Sequence, residues 1–411
     1  MKAHPACVNK KLYLYRPYIN VTTSALISLF PLNACLSASW SSAIGYAQGT
    51  LTVKQIVAKT IVRLKDIAEK TGFSTNTVSL ALRQSPRVPP ETREIIQRSA
   101  AELNYLPNHI AKSLVNKETK TIGLVVTSIK NPVHTLVAEV IERTLAEKGY
   151  STLFATSRED LATEKRVIEM FRSRQVDGML IYPVSHRRIE HINALRQFGF
   201  PVVMLVGVPG CGVDSVGVDD RRGGYKATRY LIELGHRRIG IFNPTDPNKN
   251  IEKFEGYLQA LSEAGISFDP ELALVPTVTS PAQGYYLMDT LMAVRPRPTA
   301  LLNSVDAFAI GALRWCQVHS VKVPEDIAIM GYDNLDSSEF ASVPLSSVNY
   351  AADIVAGMAV DRLMRLISSV DRLPEPRVTL IDPELVIRES TRGPRVDAQG
   401  DSAAKPRQTL A

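Results

Sequence analysis

The chain has 411 residues, 45% of them hydrophobic and 22% charged, which is too long for one hydrophobic core and ordinary for two or three. Its formal charge of +7 is mild, yet Lys54 to Lys120 holds 12 Lys and Arg against 6 Asp and Glu. A basic module on a near-neutral body points to a polyanionic partner, with a solvated basic face as the plainer alternative.

Residues 1–52 are low in charge, with an apolar patch near Ala25 to Leu36 that Pro31 and Asn33 interrupt. They read as an extension, either disordered or a start placed too far upstream, and less well as a poor signal peptide. No apolar run reaches the roughly 18 residues of a membrane span. Cys7, Cys35, Cys211 and Cys316 fit neither a metal spacing nor a disulfide framework, as expected of idle thiols in a reducing compartment.

Periodicity begins in LKDIAEKTGFSTNTVSLAL, Leu64 to Leu82. Leu64, Ile67 and Ala68 share one face of a short helix, Gly72 supplies a turn, and Ser74 is a good N-cap for a second helix. In that helix Val78 and Leu82 point back at the first, which leaves Thr75, Asn76, Ser79 and Leu80 facing outward. Ser, Thr and Asn are mediocre helix formers, so a face built of them serves something other than stability. This spacing predicts a helix-turn-helix whose second helix reads the major groove. A third helix opens at Pro89-Pro90 and carries Ile96, Ala100 and Leu103 inward, with Asn104 as its C-cap. In NYLPNHIAKSL, Asn108 caps a short helix with Ile110, Ala111 and Leu114 on one side, too short to stand alone.

These segments, with SPRVPPETREII between them, closely resemble the lac repressor (LacI/GalR) family of bacterial transcriptional regulators, over roughly residues 62 to 391. The resemblance implies a DNA-binding domain at 62–106, a hinge helix and linker at 107–118, a two-lobed effector-binding and dimerisation body at 120–391, and a disordered tail at 392–411. It implies DNA contacts from Leu64, Ser74, Thr75, Asn76, Ser79, Leu80, Arg83, Arg87 and Tyr105, and from Asn108, Ala111 and Leu114 of the hinge. Leu114 matches the leucine that the family wedges into the minor groove to kink it. Leu80 departs from the pattern, since many relatives carry Arg there.

The residues of the body agree. Strand-like runs such as TIGLVV, STLFAT, VDGMLIY, PVVMLV, RIGIF, LALVP, TALLN and DIAIMGYD alternate with amphipathic segments, the pattern of parallel sheets with helices on both faces. Two such α/β lobes side by side leave a cleft at the carboxyl ends of the strands, where open sheets bind ligands. The resemblance makes this a periplasmic-binding-protein-like body with three crossovers. The first lobe falls at about 121–219 plus 351–378, and the second at about 220–350 plus the terminal strands.

By position in the family, the effector contacts are Asn131, His134, Lys253, Asp306 and Asp333. Lys253 replaces an arginine clamp with a point charge, and Asp306 also reads as a helix N-cap. Val206 and Val305 stand where relatives have polar contacts. Two apolar replacements suit a ligand with one charged end better than a sugar, whose many hydroxyls need partners once buried.

The expected function is a sequence-specific repressor, cytoplasmic and homodimeric, that binds double-stranded operator DNA under control of a small-molecule effector: a sugar, sugar acid or small carboxylate. No metal or cofactor is expected. A periplasmic solute-binding protein is the alternative, but it would have no helix-turn-helix. An enzyme fits less well, because the chain has no P-loop, GxGxxG or nucleophile elbow, and its seven histidines form no metal motif.

Overall fold

The computed structural model describes residues 62–106, 118–243, 250–369 and 372–392. The expectations for residues 1–52, for Asn108, Ala111 and Leu114 of the hinge, and for the tail from residue 393 lie outside the described residues. The chain divides into two compact units, residues 1–107 and 108–411.

In the first unit, α1 (Leu64–Thr71), α2 (Thr75–Leu82) and α3 (Pro90–Glu102) enclose Ile67, Val78, Ala81, Val88, Ile96 and Ala100. Gly72 takes the left-handed conformation, φ 75°, that the tight turn requires, and Ser74 Oγ accepts from Thr77 N at 3.1 Å. Two sequence expectations shift. Leu103 caps α3, while Asn104 lies one position beyond with φ 52°, leaving Tyr105 N to close on Ala100 O at 2.8 Å. Leu80 does not simply face outward: half-buried, it packs against the helical core.

The second unit holds two α/β lobes. Its first sheet is β1 (Thr121–Val126), β2 (Ser151–Thr156), β3 (Gly178–Ile181), β4 (Val202–Met204), β5 (Asp214–Val218) and β11 (Val378–Ile381). Their order, β11-β5-β4-β3-β1-β2, is parallel throughout. Helices α4 (Pro132–Glu147) and α12 (Ala352–Ile367) cover one face, and α5 (Leu161–Ser173) and α6 (Glu190–Gln197) the other.

The second sheet, ordered β12-β10-β9-β8-β6-β7, consists of β6 (Ile239–Phe242), β7 (Ala273–Leu274), β8 (Ala300–Asn303), β9 (Ala328–Asp333), β10 (Ser346–Asn349) and β12 (Leu385–Val386). Only β12 runs antiparallel there, beside β10. Helices α7 (Asp220–Glu233) and α8 (Glu252–Glu263) pack on one side, and α9 (Pro281–Ala293) and α10 (Asp306–Val318) on the other. Short α11 (Asp336–Glu339) and α13 (Glu389–Arg392) complete the lobe.

The chain passes between lobes at Asp219, at Tyr350–Ala351 and at 382–384. The terminal strands are therefore divided between lobes: β11 joins β5 of the first, and only β12 belongs to the second. Backbone bonds tie the crossovers together, with Asp219 N donating to Ile381 O at 2.9 Å and Asn349 N to Glu384 O at 2.8 Å. No helix among the described residues is long and apolar enough to cross a membrane.

Glycine decides how α7 meets α8. A methyl on Gly224 would strike the Lys253 carbonyl, and one on Gly256 would strike the Arg221 carbonyl and the Tyr225 amide. Gly224 and Gly256 are thus the packing device at the helix crossing, while Gly223 makes room for the Tyr332 ring. Gly256→Ala must push the helices apart and should destabilise the body by about 1–3 kcal/mol. Urea unfolding checks this; an unchanged midpoint would mean the crossing has slack.

Candidate functional site

The reading surface is built on the second helix of the first unit. Ser74, Thr75 and Asn76 are exposed, as are Arg83 and Arg87 beyond the helix, while Ser79 is half-buried. Leu64, Leu80 and Tyr105 are half-buried and pack against the core. The polar N-terminal turn of α2 and the two arginines are thus the exposed members of the expected DNA-contact set.

In the second unit a cavity of about 330 Å³ opens between the lobes, at the low end of the usual range for ligand sites. It lies at the carboxyl ends of the strands, and Asn131, His134, Lys253 and Asp333 all line it. Lys253 is buried on the first turn of α8. Its Nζ donates to Ser304 O at 2.8 Å, sits 3.6 Å over the Tyr332 ring, and lies 3.8 Å from Asp220 Oδ1. Asp220 in turn accepts from Tyr332 Oη at 2.8 Å and from Asn250 Nδ2 at 2.6 Å.

Asp333 ends β9 with φ 117°, a conformation rarely adopted by a residue with a side chain and retained only where the surroundings impose it. Burial pushes its carboxyl well above the ordinary carboxylate range; Lys253 opposes the shift and Asp306 adds to it. Asn131 caps α4 through Oδ1, accepting from Val133 N at 3.1 Å. His134 lies against Tyr182, ring centroids 4.3 Å apart, and burial lowers its pKa to about 4. It therefore faces the cleft as a neutral imidazole, its Nδ1 within 3.2 Å of Ser128 O.

Asp306 is not part of the cleft wall. Val305 holds the N-cap position of α10, and Asp306, fully buried and absent from the cavity wall, anchors the next segments. Its carboxylate accepts from Leu335 N at 2.9 Å, Ser338 Oγ at 2.6 Å and Ser347 Oγ at 2.7 Å. It is a mounting for Asp333. Val206 and Val305 do line the cavity, as do Asp220, Tyr182 and Tyr350, which sequence reasoning missed. The position of Tyr182 just past a buried strand was a usable signal. Tyr350 had none, since only the crossover brings its hydroxyl within 2.9 Å of that of Tyr182.

A carboxyl with a raised folded-state pKa contributes its stability below its unfolded pKa of about 3.9, and that contribution is lost as pH rises through the folded value. Asp333→Asn carries no such loss. Its stability relative to the unsubstituted protein should therefore grow as pH rises from about 4. Urea midpoints across pH check this, and a gap that stays constant or shrinks with pH would contradict it.

Comparison with known proteins places both units. The signature of the bacterial regulatory proteins of the lacI family matches residues 63–108, and that of the periplasmic binding protein-like domain matches 228–391. The HTH-type transcriptional repressor PurR of Pasteurella multocida (strain Pm70) is 33% identical, over 80% of this chain and 98% of its own. The repressor of the same name from Proteus mirabilis (strain HI4320) is 32% identical over 81% and 98%. Among solved structures, a transcriptional regulator CelR–cellobiose complex is 30% identical with a TM-score of 0.60, covering 80% of this chain and 99% of that one. The lac repressor dimer bound to operator and the anti-inducer ONPF shares the fold at 24% identity and a TM-score of 0.72, with the same coverage. The helix-turn-helix excludes the solute-binding reading, and the chain belongs to the lac repressor family, as a DNA-binding transcription regulator controlled by a small molecule held between the lobes of its body.

Proposed function

We propose that the protein represses transcription as a homodimer on a pseudo-palindromic operator, and that its effector is a compact molecule with one charged or strongly polar end: a sugar acid or small carboxylate ahead of a neutral sugar. The observation that carries the effector reading is the composition of the cleft. Lys253 and Asp333 both line it, and Val206, Val305 and Phe308 put apolar surface among polar groups such as Asn131, Asn250, Thr277 and Thr279. A hydroxyl set against any of those three apolar side chains would be left unpaired, at about 1–3 kcal/mol. Sugars stay in the comparison because one solved relative is a cellobiose complex.

Dimerisation follows from the size of the reading unit, since one small module makes few contacts and two modules one helical turn apart add theirs. An apolar groove of about 500 Å³ on α9 and α10, lined by Tyr285, Tyr286, Ile310 and Leu313, with Phe340 exposed nearby in sequence to its Ala341 wall, is a surface suited to a second copy.

A thermal-shift screen of sugars, sugar acids and small carboxylates tests the effector class. A ligand at 100 times its Kd should stabilise by about 2.7 kcal/mol. Lys253→Ala should abolish that shift while leaving effector-free operator affinity intact; an unchanged titration would remove Lys253 from the site.

Leu80 lacks the fork with which Arg pairs to guanine O6 and N7. Selection from randomised DNA should therefore yield a half-site without the guanine that arginine-bearing relatives would choose. Leu80→Arg should shift preference toward guanine by about 1–3 kcal/mol. Recovery of the same half-site by both proteins would show that residue 80 does not approach the bases.

A further inference from the structure

The loop that follows β3, residues 182–189, supplies Tyr182, Pro183, Val184 and His186 to the cleft wall and is braced by its own lobe. Glu164, fully buried on α5, accepts from Val184 N and from His191 Nε2, each at 2.7 Å. Ser185 Oγ then accepts from Arg187 N at 3.2 Å and from Arg188 N at 3.0 Å. A loop fixed at both ends in this way holds its side chains in place before anything binds.

What it holds out are His186 and Arg187, toward the other lobe. His186 Nδ1 lies 3.5 Å from Glu252 Oε2, with the two side chains 11% and 22% exposed. Arg187 Nη2 lies 3.9 Å from Glu255 Oε1. Glu252 and Glu255 are three residues apart on the first turn of α8, hence on one face of it. Lys253 sits between them in sequence, on the cleft floor.

We propose that His186 and Arg187 are positioning residues that latch the two lobes across the cleft mouth by pairing with Glu252 and Glu255. Burial works to raise the Glu252 carboxyl, yet His186 and, less strongly, Arg187 hold it below the ordinary carboxylate range, as a pair maintained in the folded protein requires. The inner pair is the less exposed of the two; the outer one is exposed and screened by salt. Because the latch and Lys253 share one helical turn, opening it carries Lys253 away from the wall of the first lobe, so the same movement that admits a ligand dismantles part of its site. The consequence for effector binding rests on the cleft being the effector site, but the latch itself does not.

Hydrogen–deuterium exchange on the full chain without added ligand tests it. Arg187→Glu sets like charges across the mouth, and exchange in residues 182–189 and in the first turn of α8 should rise about fivefold, with β1 and β9 unchanged. Adding Glu255→Arg should restore the slow rate, and Glu252→Gln should accelerate the same two segments. Wild-type exchange in both single variants, or acceleration spread equally into the core strands, would overturn the latch. A screen that finds no cleft ligand would instead count against the effector reading and leave this result standing.

Discussion

Asp220 and Asp333 line the cleft near the Lys253 ammonium, which lies 3.8 Å from Asp220, rests on the Tyr332 ring and donates to the Ser304 carbonyl. An unpaired buried charge costs several kcal/mol, so Lys253 is tolerated there beside Asp220, while burial pushes the Asp333 carboxyl toward its neutral form. The cation in turn depends on backbone contact. Lys253 reaches the floor because Gly224 and Gly256 let α7 and α8 cross almost in backbone contact, and any side chain at either glycine moves the helix that carries it.

Around that centre the second lobe is held by buried polar groups as well as by its apolar core. Asp306 collects Leu335 N and two serine hydroxyls, while Ser390 of α13 accepts from Ser346 N and donates to Ile329 O of β9. Such networks are directional, and when every member is satisfied they fix one arrangement where apolar packing alone would allow several. Asp333 with its positive φ is kept in place by these neighbours. The first lobe has its own version at the start of β5, where fully buried Asp214 is paired with Arg196 and Arg362. The lobes are thus stiff, and three crossovers joined by backbone hydrogen bonds leave hinge-like closure as the natural motion between them.

The reading unit follows a different economy. Its core is six small or medium side chains, and the helix that faces outward is made of residues that form helices poorly. Ser74 compensates by capping that helix, and Lys70 ties α1 to the end of α3 through Glu102 at 2.7 Å. Chemistry is concentrated in the exposed first turn and stability in the buried stripe behind it.

The sequence by itself determined the architecture of both units. Helix and strand periods, the Gly72 turn, the Ser74 cap and the alternation of the body are local signals; with the family pattern they made the helix-turn-helix legible and pointed to five cleft residues, of which Asn131, His134, Lys253 and Asp333 line the cavity. Local signals failed where burial is not apolar. DSVGV does not look like a central strand, because Asp214 is buried against arginines that lie 18 residues before and 148 residues after it. Likewise β11 reads as a companion of β12, although its register is set by β5 in the other lobe. Tertiary structure alone decided that Asp306 turns inward as a mounting, that Leu80 leans on the core, and that Tyr182, Asp220 and Tyr350 converge on the cleft. Each depends on partners distant in the chain, and a hydrogen bond or ion pair between such partners leaves no periodic trace in the sequence.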